Sequence, residues 1–384
     1  MVSTTTLIFC IISIFIFLGG YFLGKWRNAC EIRRLIKVQK NSCLLGKKIN
    51  SMDKRKGLAK TYYDSAAALK GMDEYYWDAS ALIPTPFINY APAPTKEKNI
   101  QINSNQFRSN QDLTHPKPND VFRVFLVGGS TAFGSGAPNQ NSTIGGYLTS
   151  YFNTLATDKK KYEIQTVAAS AWSSSHERIA IENLVSEMEP DLVITFSGNN
   201  EAHWGWNFKN TMWFRSYADN YFWKIFNAAH NAAGFESFRN PITDKTIVLP
   251  PESLSRILKK NVSLGCSALS ETKSKHYYMF QPNMPLTQKP LTEREKDILA
   301  AWHPNQIEYF REYHKLAVLK LKDLESVHKN FNFFDLSDVF DKIPENEEIF
   351  LDSTHFGDKG YNIISQKIIA LIQTSVFGGK NLSN

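Results

Sequence analysis

The sequence predicts an α/β fold, a doubly wound parallel sheet of about five strands with helices on both faces. Three observations predict it. Short apolar runs recur at 121–127, 162–168, 191–197, 276–282 and 331–337. Stretches of helical period separate them, the alternation that builds βαβ units. The first run ends on a glycine pair and the third on another glycine, where buried strands hand over to loops.

In order, VFRVFLV (121–127) reads as a central strand, followed by a Gly-rich loop and a helix over Thr143 to Thr157. YEIQTVA (162–168) is the second strand and HERIAIENLVSEM (176–188) an amphipathic helix. DLVITFS (191–197) and HYYMFQP (276–282) are the third and fourth strands, with a long helix over Asn305 to Lys329 after them. FNFFDLS (331–337) and a closing helix, GYNIISQKIIALIQ (360–373), complete the pattern. Ligands gather beyond the carboxyl ends of such strands. Residues 202–275 break the alternation and read as an insertion, aromatic-rich near its start, of the kind that forms a lid or small subdomain.

Ahead of this domain, Val2 to Gly24 carries no charge, and about 20 apolar residues of helix span a hydrocarbon layer of roughly 30 Å. With no basic n-region and no small-residue cleavage site, a retained single-pass transmembrane anchor over 1–24 is expected rather than a removed signal. Lys25, Arg27, Arg33, Arg34, Lys37, Lys40, Lys47 and Lys48 follow it, and none precedes it. The positive-inside rule places that flank in the cytoplasm. Residues 25–118 read as a basic juxtamembrane stalk and an extended, Pro-rich lead-in, and 119–384 as the catalytic domain.

The net charge of +7 owes much to that flank, and no nucleic-acid motif accompanies it. A membrane surface is the expected anionic partner. Four cysteines are too few for a disulfide scaffold and lack metal-ligand spacing; a Cys30–Cys43 bridge and unpaired thiols both remain open. No metal or organic cofactor is implied.

Chemistry-bearing residues fall in four blocks. VGGSTAFG (127–134) runs a strand into a glycine turn with Ser130 at its exit, at a helix N-terminus where amides favour developing negative charge. Alone, a serine there is more often a cap. No Walker lysine follows, the dinucleotide G-x-G-x-x-G is missing, and Ala132 breaks the G-x-S-x-G elbow. LDSTHFGDKGY (351–361) sets Asp352 three residues before His355, so one turn carries a base and the carboxylate that fixes its tautomer. In FSGNNEAHWG (196–205), Asn200 is a candidate oxyanion donor, with an Asx turn as the plain alternative. VAASAWSSSHE (167–177) supplies a backbone N–H at most.

Together the blocks resemble the SGNH (GDSL-like) hydrolase superfamily over about Val121 to the C-terminus. Ser130 in GGSTAFG matches its nucleophile block, Asn200 in GNNE its asparagine block, and Asp352 with His355 its D-x-x-H block. The upstream INSNQFRS (102–109) also resembles a lead-in of anchored bacterial members from polysaccharide-related loci. The chain departs at Gly129, where the name-giving members have Asp, and at Ala171, where the second block has Gly.

The resemblance implies a flavodoxin-like three-layer α/β/α fold and a Ser130–His355–Asp352 triad. It also implies an oxyanion hole from the Ser130 and Ala171 amides and the Asn200 side chain. Gly129, Glu201, Trp204 and Gln281 are candidate substrate contacts. Trp204, Trp206, Trp213, Phe214, Tyr217, Phe222 and Trp223 form either a substrate-facing surface or the insertion's own core. The implied activity is a serine esterase acting on a small-molecule, lipid or carbohydrate ester. The alternatives are a carbohydrate O-acyltransferase with the same triad and a membrane-tethered binding protein that has lost turnover. Members of this type work mostly outside the cytoplasm, against the flanking charge, so the side of the membrane stays open.

Overall fold

The computed structural model describes residues 4–42, 51–72, 82–97, 99–156, 160–207, 217–237 and 249–377. The chain divides into two compact units, one of Met1–Asn41 with Tyr217–Lys245 and one of Ser42–Ser216 with Thr246–Asn384.

In the first unit, α1 (Thr4–Ser42) is one continuous helix of 39 residues, and a second helix covers Tyr217–Ala232 (α8 in chain order). Ile8, Phe9 and most apolar residues from Ile11 to Leu23 are exposed on α1. Among the described residues, no helix is long and apolar enough to cross a membrane, so the anchor expected over 1–24 is not supported. Residues 1–3 and the side chains of Leu7 and Cys10 lie outside the described residues.

The second unit opens with α2 (Met52–Ala59) and α3 (Ser65–Gly71), each capped by an acceptor side chain, Ser51 and Asp64. Two hairpins follow: β1 (Leu82–Thr85) with β2 (Asn89–Pro92), and β3 (Thr95–Glu97) with β4 (Ile100–Ile102). The described parts of the expected stalk and irregular lead-in, 51–72, 82–97 and 99–118, therefore belong to this unit. Leu58, Tyr62, Ala68, Met72 and Tyr90 are all buried. Hairpin strands of three or four residues are too short to show a period, and their prolines read as breakers.

The sheet contains β5 (Val121–Gly128), β6 (Lys161–Ala168), β7 (Leu192–Ser197), β8 (Lys275–Phe280) and β9 (Phe331–Asp335). All pair in parallel, in the order β6-β5-β7-β8-β9. Renumbered within the sheet this is 2-1-3-4-5, the flavodoxin-like order. The α/β class and the five parallel strands are as the sequence predicts, each within two residues of the expected ends.

Helices cover both faces. The glycine turn after β5 leads into α4 (Ser130–Phe133), then come α5 (Ile144–Leu155), α6 (Ser174–Ala180) and α7 (Asn199–Trp206). After α8 the chain forms α9 (Pro251–Glu271), α10 (Glu293–Ala300), α11 (Pro304–Lys322), α12 (Leu324–Val327) and α13 (Asp358–Phe377). α5 and α13 pack on one face with Tyr277 and Met279 of β8; α9 and α11 pack on the other with Tyr278 and Phe280. That alternation is the period of two of a strand buried on both sides.

α9 corrects the reading of 202–275 as one insertion. Leu254, Leu258, Val262, Cys266 and Leu269 line its buried face, so it belongs to the helix layer of the sheet. Only Tyr217–Lys245 falls in the other unit. Trp213 and Phe214, and the side chains of Tyr217 and Phe222, lie outside the described residues. Cys30 and Cys266 are free thiols, and Cys43 lies outside the described residues.

Candidate active site

Ser130 is the first residue of α4, directly after β5, the strand second from one edge of the sheet. Two glycines make that placement sterically feasible. A Cβ on Gly128 would overlap the Phe196 carbonyl and lie 2.7 Å from the Ala132 Cβ. A Cβ on Gly129 would lie 2.6 Å from Asn200 Nδ2. Gly129 thus serves as a close-approach point against Asn200.

Ser130 Oγ lies 2.7 Å from His355 Nε2. The other ring nitrogen, Nδ1, lies 3.0 and 2.9 Å from the two Asp352 oxygens. Asp352 Oδ1 also accepts the backbone N–H groups of Thr354 and His355, each at 2.8 Å, so the carboxylate is fixed by its own turn. Burial pushes the Asp352 pKa up, but the His355 charge and these hydrogen bonds outweigh it and hold the group at about 2. With the proton on Nδ1, His355 donates to Asp352 and presents Nε2 as acceptor to the Ser130 hydroxyl.

Residues outside the predicted set hold the turn after Ser130. Arg108, 3% exposed, donates through Nη1 to the Phe133 and Gly134 carbonyls at 2.7 and 3.1 Å. Tyr361 donates to the Ser135 carbonyl at 2.7 Å and Tyr62 to that of Gly136 at 2.7 Å. Four successive carbonyls past a four-residue helix are thereby satisfied by side chains from three distant segments. Burial lowers the Arg108 pKa to about 10, which leaves it charged at neutral pH. Arg108 lies in the INSNQFRS stretch, whose Asn103 ties to Gln165 and the Gln111 carbonyl, so that motif is a clamp under the Ser130 turn. Arg108→Met keeps the stem and strands the buried Phe133 carbonyl, at about 1–3 kcal/mol, while the Gly134 carbonyl keeps the Ala137 N–H at 3.1 Å. Denaturant unfolding is expected to show a loss of about 2 kcal/mol, with turnover reduced as the turn loosens.

The loops after β6 and β7 carry Ala171 and Asn200, the expected oxyanion donors. Ala171 sits at φ 65°, the left-handed region that glycine adopts freely. The alanine thus keeps a glycine-like backbone, at a cost of about 1–2 kcal/mol. Its N–H has no hydrogen-bond partner among the described residues. Tyr90 stabilises the loop from below, donating to the Ser170 carbonyl at 2.8 Å and accepting from Trp172 Nε1 at 3.0 Å. Asn200 Nδ2 donates to the Trp172 carbonyl at 2.6 Å, which orients the amide and leaves its second N–H for another acceptor. Ala171→Gly is expected to relieve the strain and lose part of the gain to unfolded-chain entropy. The net is a stabilisation of about 0.5–1 kcal/mol, visible as a raised Tm, with activity retained.

Two other candidates, Glu201 and Gln281, are buried and hydrogen-bonded within the scaffold. Glu201 is fully buried, its Oε1 accepting the Ser174 N–H at 2.5 Å, because the first turn of α7 points it under α6. Gln281, 4% exposed, accepts from the Thr131 hydroxyl at 2.8 Å and braces α4. Trp204 is half-buried, its Nε1 3.3 Å from the Ala171 carbonyl, so it lies beside the oxyanion loop. His203, passed over in the sequence, feels the charges of both Asp352 and His355. Its position one turn after Asn199, at a strand's carboxyl end, was the available signal. Among the described residues, no group of three or more His, Cys, Asp or Glu side chains is placed to hold a metal ion.

No family model matches the chain, and no curated protein matches it. Solved structures resemble it distantly. LAE5, an alpha/beta hydrolase enzyme from the metagenome of Lake Arreo, Spain, has a TM-score of 0.42 at 13% identity, over 65% of this chain and 94% of its own. The acetyl xylan esterase AlAXEase has a TM-score of 0.38 at 15% identity, over 65% of this chain and 100% of its own. A GDSL-like lipase from Bacteroides thetaiotaomicron has 0.36 at 13% identity, over 69% and 93%. At that distance the functional reading rests on the site itself.

Proposed function

We propose that the protein is a serine ester hydrolase that works through an acyl-enzyme on Ser130. The observation that carries this reading is the unbroken chain from Ser130 Oγ to His355 Nε2 (2.7 Å) and from His355 Nδ1 to Asp352 (2.9 Å). His355 takes the hydroxyl proton as Oγ attacks the ester carbonyl, and Asp352 stabilises the imidazolium that forms. The Ser130 amide at the helix N-terminus, the Ala171 amide and the second Asn200 N–H receive the oxyanion. Collapse passes the proton from His355 to the leaving alcohol. Water, deprotonated by the same imidazole, then releases the acid and restores Ser130.

Small-molecule, lipid and carbohydrate esters are the proposed substrates. A panel of acetyl, butyryl and long-chain nitrophenyl esters tests this, with and without oligosaccharide acceptors. Release of nitrophenol that sugar does not alter supports hydrolysis. Acceptor-dependent release with an acylated sugar product supports O-acyl transfer, and no release from any ester sinks the catalytic reading in favour of a binding protein.

We also propose that α1 holds the protein at a membrane. Its exposed apolar side chains from Ile8 to Leu23 run into Lys25, Arg27, Arg33 and Arg34, a pairing suited to acyl chains beside anionic headgroups. Removal of residues 1–24 is expected to shift the protein from the membrane pellet to the supernatant; an unchanged distribution would overturn the proposal. Protease access in sealed vesicles reads the side.

A further inference from the structure

Behind the oxyanion donors lie two carboxyls that the mechanism leaves unused. Glu177 on α6 is 2% exposed and Glu201 on α7 is 0% exposed. Glu201 Oε1 accepts the N–H of Ser174, the first residue of α6, at 2.5 Å. Glu177 Oε1 in return accepts from the hydroxyl of Ser197, the last residue of β7, at 2.5 Å. The two bonds cross between the same pair of segments. One segment carries Ala171, three residues before Ser174. The other carries Asn200, three residues after Ser197. The direct bond from Asn200 Nδ2 to the Trp172 carbonyl joins these segments on the active-site side.

Tyr278 of β8 and Tyr313 of α11 interact with both carboxyls, and Tyr309 acts on Tyr313. Asn261 of α9 donates to the Ser174 and Ser175 hydroxyls at 2.9 and 3.1 Å. His176 of α6 stacks on Trp172 and lies 3.3 Å from the Ser173 hydroxyl. Among the described residues no lysine or arginine contributes to the electrostatics of either carboxyl. Two buried carboxyls without a cation are a costly arrangement that a purely apolar contact would avoid.

We propose that Glu177 and Glu201 are positioning residues whose crossed hydrogen bonds hold the Ala171 amide and the Asn200 side chain on one oxyanion. The inference rests on the esterase reading. Burial pushes both carboxyls above the ordinary range, and Glu201 pushes Glu177 further. Each therefore keeps its proton to higher pH than a free carboxyl does. Ionisation of both would set like charges behind the crossed bonds, so kcat is expected to fall on the alkaline side.

The test is nitrophenyl acetate turnover by the full chain, in the wild-type and Asn200→Ala backgrounds. Glu201→Ala is expected to lower kcat on the order of tenfold with KM little changed, because misplaced donors lose transition-state stabilisation. In the Asn200→Ala background the same change should cost clearly less than in the wild type, since one of the two donors it positions is gone and only the Ala171 amide remains to be misplaced. Glu201→Gln, which keeps the acceptor oxygen, should recover most of the loss. Glu177→Gln should move the alkaline limb to higher pH, an effect a merely structural role would not produce. Ser197→Ala removes the partner of Glu177 without touching a carboxyl and should show the same dependence on Asn200; with Glu177→Gln it carries the test if Glu201→Ala does not fold. Equal losses in both backgrounds, or an alkaline limb unmoved by Glu177→Gln, would overturn the inference while leaving the esterase reading intact. Absence of Ser130-dependent turnover in the wild type would overturn both.

Discussion

Ser130→Ala is expected to lower kcat by up to about 10⁶-fold, leaving only what the oxyanion hole and substrate binding supply. The size follows from the geometry. In the proposed mechanism Oγ forms and breaks the acyl bond, and among the described residues its hydrogen bond is the 2.7 Å contact to His355. Removing it deletes the covalent path and disturbs little else. The backbone of the turn stays clamped by Arg108, Tyr361 and Tyr62 through its own carbonyls. Thermal unfolding of the variant should therefore match the wild type within about 0.5 kcal/mol. A variant that keeps more than about 1% of wild-type kcat would show that Ser130 is not the nucleophile.

Asp352→Asn is expected to cost about 10⁴ in kcat. An amide at this position presents an N–H toward His355 Nδ1 and favours the tautomer with its proton on Nε2, where it cannot accept from Ser130. The loss should fall on kcat, with KM nearly unchanged, because Asp352 meets the ring and not the substrate. The same substitution has a signature in stability against pH. The folded pKa of Asp352, about 2, lies below its ordinary 3.8. Its contribution to stability is then fully present above about pH 4 and lost as pH falls through about 2. Acid unfolding of Asp352→Asn should lack that component, giving a flatter stability curve between these pH values. A kcat within tenfold of wild type would contradict the role given to Asp352.

The parts of the fold that were legible in the sequence share one physical cause. The strands of a parallel sheet are buried on both faces, so their apolar runs stand out against amphipathic helices. Ser130, Asn200, Asp352 and His355 were legible because they follow those strands or precede the last helix, where short polar blocks interrupt apolar ones. Arg108, Tyr62, Tyr90 and Tyr361 were not. Each acts on backbone atoms far away in sequence, and nothing in the local pattern marks a tyrosine as a cap. Glu201 was misread for the opposite reason. A carboxylate near a candidate site suggests substrate contact, whereas burial under α6 makes it part of the scaffold. α9 carries a regular apolar stripe from Leu254 to Leu269, and it was masked by the aromatic segment before it.

The central claim, a nucleophilic Ser130 activated by His355, meets its most direct test in a trapped covalent adduct. The full chain is treated with a fluorophosphonate, digested, and the adduct located by mass spectrometry. One adduct on the peptide containing Ser130 is expected, absent in Ser130→Ala and formed far more slowly in His355→Ala. No adduct in the wild type, or an adduct on another residue that persists in Ser130→Ala, would contradict the account.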